Sequence, residues 1–135
     1  MIILELLRGL HKMKILKIDT IKGGTKLVEL TGEAMAPFYI EALFFANYEE
    51  LDGHELHKST LKKIEDYCQQ FLDYAIEEES IDSNYTVDFY GQNFYFSAAG
   101  HGCGFFDYYM DDLQRIAKLF PLDFYVGDDD FIYCS

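Results

Sequence analysis

The sequence predicts an α+β fold, a single domain of mainly antiparallel sheet packed by two or three helices. Three observations lead to it. Several short segments alternate apolar and polar side chains and meet at glycine-rich turns, as paired strands do. One long stretch repeats its apolar residues every three or four positions, as an amphipathic helix does. No internal repeat, linker or low-complexity tract divides the 135 residues, a length that supports one hydrophobic core.

Taken in order, Met13-Lys14-Ile15-Leu16-Lys17-Ile18-Asp19 alternates like a strand, Lys22-Gly23-Gly24-Thr25 is a turn, and Lys26-Leu27-Val28-Glu29-Leu30 completes a hairpin. Residues 13–32 thus form a basic hairpin, with residues 1–12 as a peripheral extension and residues 33–135 as an acidic α+β body. The pattern over 34–47 is helical, with Phe38, Ala42 and Phe45 on one face and Pro37 tolerable in the first turn. A polar loop over 49–57 holds Asp52-Gly53. Ser59 is placed to cap a helix to about Glu79, whose stripe is Leu61, Ile64, Cys68, Phe71, Leu72 and Ala75.

Residues 84–90 and 94–98 alternate like strands, with Gly91-Gln92-Asn93 as the turn between them. Gly100-His101-Gly102-Cys103-Gly104 is a loop. Asp107 can cap a helix running to about Leu119, stopped by Pro121, with Leu113, Ile116, Ala117 and Phe120 inward. A last hairpin joins 123–126 to 131–134 across Gly127-Asp128-Asp129-Asp130.

Charge is the strongest compositional signal. Twenty-four acids face eleven bases, for a net −13. Residues 1–26 carry six bases and two acids, whereas residues 27–135 carry five bases and twenty-two acids. Half of the residues are hydrophobic and 17% are aromatic, so the acidity does not signal disorder. Such a field repels polyanions and favours a cationic partner. Cys68, Cys103 and Cys134 are odd in number and irregularly spaced, which suits reduced thiols in a cytoplasm better than a disulfide framework. The run Met1-Ile2-Ile3-Leu4-Glu5-Leu6-Leu7 is too short to span a bilayer and lacks the form of a secretory signal, so a cytoplasmic location is expected.

The segment Asn93-Phe94-Tyr95-Phe96-Ser97-Ala98-Ala99-Gly100-His101-Gly102-Cys103-Gly104-Phe105-Phe106-Asp107 resembles a signature of small phage- and plasmid-borne proteins, commonly D-F-W-L-T-R-N-G-H-G-A-G-F-W-D. Phe38-Tyr39-Ile40-Glu41-Ala42-Leu43 and Tyr125-Val126-Gly127-Asp128-Asp129-Asp130-Phe131-Ile132-Tyr133 look like the same family, so the likeness spans about 33–135. It implies a mobile-element origin, a setting rich in acidic inhibitors of host nucleases. Ala98-Ala99 stands where the family usually has Arg-Asn, which removes a cation and an amide from the loop.

Two kinds of site compete. The glycine loop has neither G-x-G-x-x-G spacing nor a P-loop lysine, and Asp107, Asp111 and Asp112 beyond it oppose a phosphate. His101, Cys103 and Asp107 could form a thiol nucleophile with its base, the core of a small hydrolase or transferase. A negative surrounding raises a thiol pKa, however, and a zinc site would need a further ligand for which only His54 and His57 offer themselves. No metal and no cofactor are expected. Gly127-Asp128-Asp129-Asp130 lacks the ligand spacing of a calcium loop.

The acids fall in blocks beside aromatic residues, and carboxylates on a rigid surface can imitate a phosphate row. Arginine pairs with either group through the same planar fork. Glu49, Glu50, Asp52, Asp128, Asp129 and Asp130 are the first candidates for partner contact, followed by Glu77, Glu78, Glu79, Asp111 and Asp112. The expectation is a phage-encoded, non-catalytic inhibitor of a host CRISPR effector or restriction nuclease, blocking its DNA groove by mimicry without itself binding nucleic acid or membrane. A phage structural or assembly subunit is the further alternative.

Overall fold

The computed structural model describes residues 15–19 and 24–135. The proposed extension over 1–12, the strand start at Met13-Lys14 and the turn residues Lys22-Gly23 lie outside them. The α+β class holds, but helices rather than sheet form the body. Strand β1 (Ile15–Asp19) pairs antiparallel with β2 (Thr25–Glu29), with Leu16 opposite Val28. Three helices follow: α1 (Gly32–Ala46), the one-turn α2 (Tyr48–Leu51) and α3 (Lys58–Glu77). Helix α4 (Val87–Ala99), a 3-10 turn at Phe105–Tyr108 and α5 (Asp111–Ala117) precede the antiparallel hairpin of β3 (Phe124–Val126) and β4 (Ile132–Cys134).

Helix α1 packs most extensively on α4, and next on α3. The α3 stripe is as expected over Ile64, Cys68, Phe71, Leu72 and Ala75, which are all fully buried, but Leu61 at its start is exposed. Burial also pushes the Cys68 thiol well above its usual range, because a thiolate there would lose its water. The cap of α3 differs from the expectation. His57 is the N-cap, and its Nδ1 accepts the Ser59 backbone N–H at 3.2 Å. Likewise α1 begins two residues before Ala34, capped by Thr31 Oγ1, which accepts from Ala34 N. Pro37 therefore lies beyond the first turn, and the helix forgoes one internal hydrogen bond there.

The largest correction concerns residues 84–98, which form α4 rather than a hairpin. Aromatic residues favour strands, and their local alternation suggested one. Yet the buried set Val87, Tyr90, Gly91, Phe94, Tyr95 and Ser97 has helical spacing. Thr86 caps its start by accepting from Phe89 N, and Gly100 closes its end in the left-handed conformation, φ 73°. Gly91 is not a turn residue. A Cβ built there would lie 2.6 Å from the Met35 carbonyl oxygen and 2.7 Å from Phe38 Cβ, so the glycine is what lets α4 lie against α1.

Asp107 caps no long helix. Its Oδ2 accepts the Gly104 N–H at 3.1 Å within the 3-10 turn, and α5 starts only at Asp111. Gly91→Ala is expected to lower stability by about 1–3 kcal/mol through overpacking, despite alanine's better helix propensity, because the obstructing atom belongs to backbone. Thermal unfolding followed by circular dichroism measures it, and an unchanged or raised midpoint would refute the close-approach role of Gly91.

Candidate functional site

All the candidate acids but Glu77 gather into two patches at opposite ends of α3. Twenty helical residues at 1.5 Å each set the ends about 30 Å apart.

At the N-terminal end, the segment from α2 to His57 is stitched to the β3–β4 hairpin. Ile132 N donates to Glu55 O at 2.8 Å, His57 N donates to Ile132 O at 3.0 Å, and the buried Thr60 hydroxyl donates to the same carbonyl at 2.8 Å. His54 Nδ1 donates to Asp130 O at 2.8 Å, since a carbonyl can only accept. These bonds bring Glu49, Glu50 and Asp52 to the same end as Asp128, Asp129 and Asp130, all exposed. His57 stacks on Tyr133, ring centroids 4.8 Å apart, and meets Phe131 edge-on. The Tyr133 hydroxyl donates to Asp129 Oδ2, and Phe131 N donates to Oδ1. The tyrosine bond, above all, holds the Asp129 carboxyl below the usual carboxylate range.

At the C-terminal end, Glu78 and Glu79 meet Asp111 and Asp112 around a groove of about 440 Å³ that also exposes Tyr109 and Met110. Arg115 sits between the two blocks, 2.7 Å from Glu78 Oε2 and 4.0 Å from Asp112 Oδ1, so it offsets part of their charge. Glu77 stands apart from this groove and lines another with Glu29, Gln69 and Asp73. Between the patches, α3 carries Lys62 paired with Asp66 at 2.9 Å, and Lys63 over the Tyr67 ring. The acids therefore make two patches rather than one continuous strip.

Among the described residues, three non-glycine residues have positive φ, and all three lie in these patches: Glu79 (55°), Tyr109 (60°) and Asp130 (67°). Such a conformation is uncommon for a side-chain-bearing residue. Tyr109 is also 93% exposed. Sequence reasoning missed Arg115, because it carries no local signal for the tertiary meeting of 77–79 with 111–112.

The alternative site does not assemble as a triad. His101 Nε2 pairs with the Tyr95 hydroxyl at 3.0 Å, while Asp107 is engaged by Gly104 N. Asn47 Nδ2 donates to both Leu43 O and the Tyr95 hydroxyl, which leaves the phenol proton available to His101 Nε2. With the phenol donating, the proton of a neutral imidazole sits on Nδ1. Burial raises the Tyr95 phenol pKa, and the Asn47 bond partly opposes the rise. Among the described residues, no group of three or more His, Cys, Asp or Glu side chains is arranged to hold a metal ion. No helix among them is long and apolar enough to cross a membrane.

No protein-family model, curated protein or solved structure matches this chain.

Two outcomes are expected from NMR. Imidazole nitrogen shifts should show His101 protonated on Nδ1 when neutral, and Tyr95→Phe should return the ring toward the Nε2–H form. An unaltered tautomer ratio would refute donation from Tyr95 to His101. Asp129 should titrate below the ordinary carboxylate range, and Tyr133→Phe should move it upward. Because the folded value is the lower one, the bond's stabilisation is present above the ordinary range and is lost as pH falls through the lowered value.

Proposed function

We propose that this chain is a non-catalytic inhibitor of a nucleic-acid-binding protein, filling cationic phosphate sites with its two acidic patches. The observation that carries the proposal is their placement at the two ends of one helix about 30 Å long. One turn of B-form duplex advances about 34 Å. A protein that grips phosphates on successive turns of one duplex face offers cationic sites at a comparable interval. Bidentate pairing of arginine with carboxylate gives the patches the chemistry of a phosphate contact. Exposed Tyr48, Phe131 and Tyr109 flank the acids and supply apolar area that a purely ionic contact would lack.

The surplus charge speeds encounter with a basic cleft and suppresses direct binding to nucleic acid. The resemblance of the glycine-loop segment to phage- and plasmid-borne proteins supports a host defence enzyme as target, either a CRISPR effector or a restriction nuclease. In such an enzyme the inhibitor would compete with duplex, including the short motif an effector reads beside its target.

Charge variants test the proposal in a duplex-displacement assay against such nucleases. Asp128→Lys with Asp130→Asn alters one patch, and asparagine tolerates the positive φ at 130. Glu79→Asn with Asp111→Lys alters the other. Each pair should weaken displacement by about 10–100-fold, on the scale of losing one or two charge-assisted contacts. Inhibition should also fall steeply between low and physiological salt. Displacement that is insensitive to both pairs and to salt would refute the proposal.

A further inference from the structure

An apolar groove of about 270 Å³ lies between α1 and α4, lined by Glu41, Ala42, Phe45, Gln92 and Phe96. It belongs to neither acidic patch. Phe45 stands 81% exposed on its wall, a large ring whose burial the fold leaves undone. Glu41 forms the polar rim, its Oε1 accepting from Gln92 Nε2 at 3.1 Å across the two helices. Helix α1 ends at Ala46, and the chain passes at once into exposed Tyr48, Glu49 and Glu50. Phe45 on the groove wall is therefore close along the chain to the first acids of the N-terminal patch.

We infer that this groove receives an apolar side chain from a cationic segment of the protein partner, laid with its Arg or Lys residues on Glu41, Glu49 and Glu50. Charge selects that occupant. A second copy would bring a net −13 against a net −13, whereas a basic amphipathic segment satisfies the carboxylate rim and the apolar floor together. The groove then acts as the anchor that slows release, while the acids govern encounter. This inference rests on the cationic-partner reading above and adds a second, salt-resistant component to it.

Two fluorescently labelled 16-residue peptides test it by anisotropy on the full chain. Both carry the same Lys and Arg residues at helical spacing, one with a leucine stripe and one with serine in its place. The leucine peptide should bind at least about tenfold more tightly, the worth of burying one large apolar side chain. Phe45→Ser should erase that advantage while leaving the serine peptide and its salt dependence unchanged, and Phe45→Leu should restore much of it. Leu119→Ser, at another exposed apolar position, should change neither.

Equal binding of the two peptides, or an advantage that survives Phe45→Ser, overturns the groove and leaves the acidic patches standing. Binding of neither peptide overturns the groove and the cationic-partner reading together. Sedimentation showing micromolar self-association that Phe45→Ser abolishes would assign the groove to a second copy and overturn the inference.

Discussion

The Phe71 ring stacks on Phe94, centroids 4.4 Å apart, and on Phe105, 5.7 Å apart, and this ring cluster ties together three parts of the fold. All three side chains are fully buried. They come from α3, from α4 and from the turn after the glycine loop, so one contact fixes three elements. Stacked rings contribute about 0.5–1.5 kcal/mol per pair beyond the area they bury. The glycine loop serves this contact. Gly104 passes so close to Ser97 that any Cβ would collide with its hydroxyl, and the same hydroxyl accepts the Phe105 N–H at 2.9 Å. The segment most distinctive in sequence is thus, in the fold, a device for seating Phe105.

The same logic explains which parts of the structure were legible in sequence. Helix α3 could be read because its inward stripe coincides with a sequence period and polar residues occupy its outer face. Both hairpins could be read from their turn residues and short alternating arms. Helix α4 could not, because its rings carry strand propensity and Gly91 imitates a turn. Its true signals were the cap at Thr86 and the left-handed Gly100, which bracket the segment. His57 displaced Ser59 as a cap through a ring nitrogen, an acceptor that residue preferences rank below a hydroxyl.

The candidate surface was legible only as a set of blocks. Which blocks meet depends on contacts across the fold, such as Arg115 reaching Glu78 and Ile132 reaching Glu55. The placement of Glu77, Glu78 and Glu79 at the carboxyl end of α3 opposes the helix dipole, at a cost of about 0.3–1 kcal/mol per charge when exposed. Arg115 relieves part of that cost for Glu78. Positive φ at Glu79, Tyr109 and Asp130 adds local strain to the same two regions. Stability is thus given up at the patches, while the ring core and the Gly91 crossing are closely packed.

Helix α3 also fixes an angle. Each residue advances the chain by about 1.5 Å and turns it by about 100°. An added or deleted residue would scarcely alter the separation of the patches, yet would swing one around the axis relative to the other. The azimuth that turns Ile64, Cys68, Phe71, Leu72 and Ala75 inward is therefore tied to the direction in which each patch faces. Descendants of this sequence can vary exposed acids without touching the ring core, but they cannot rephase the two ends without unseating Phe71.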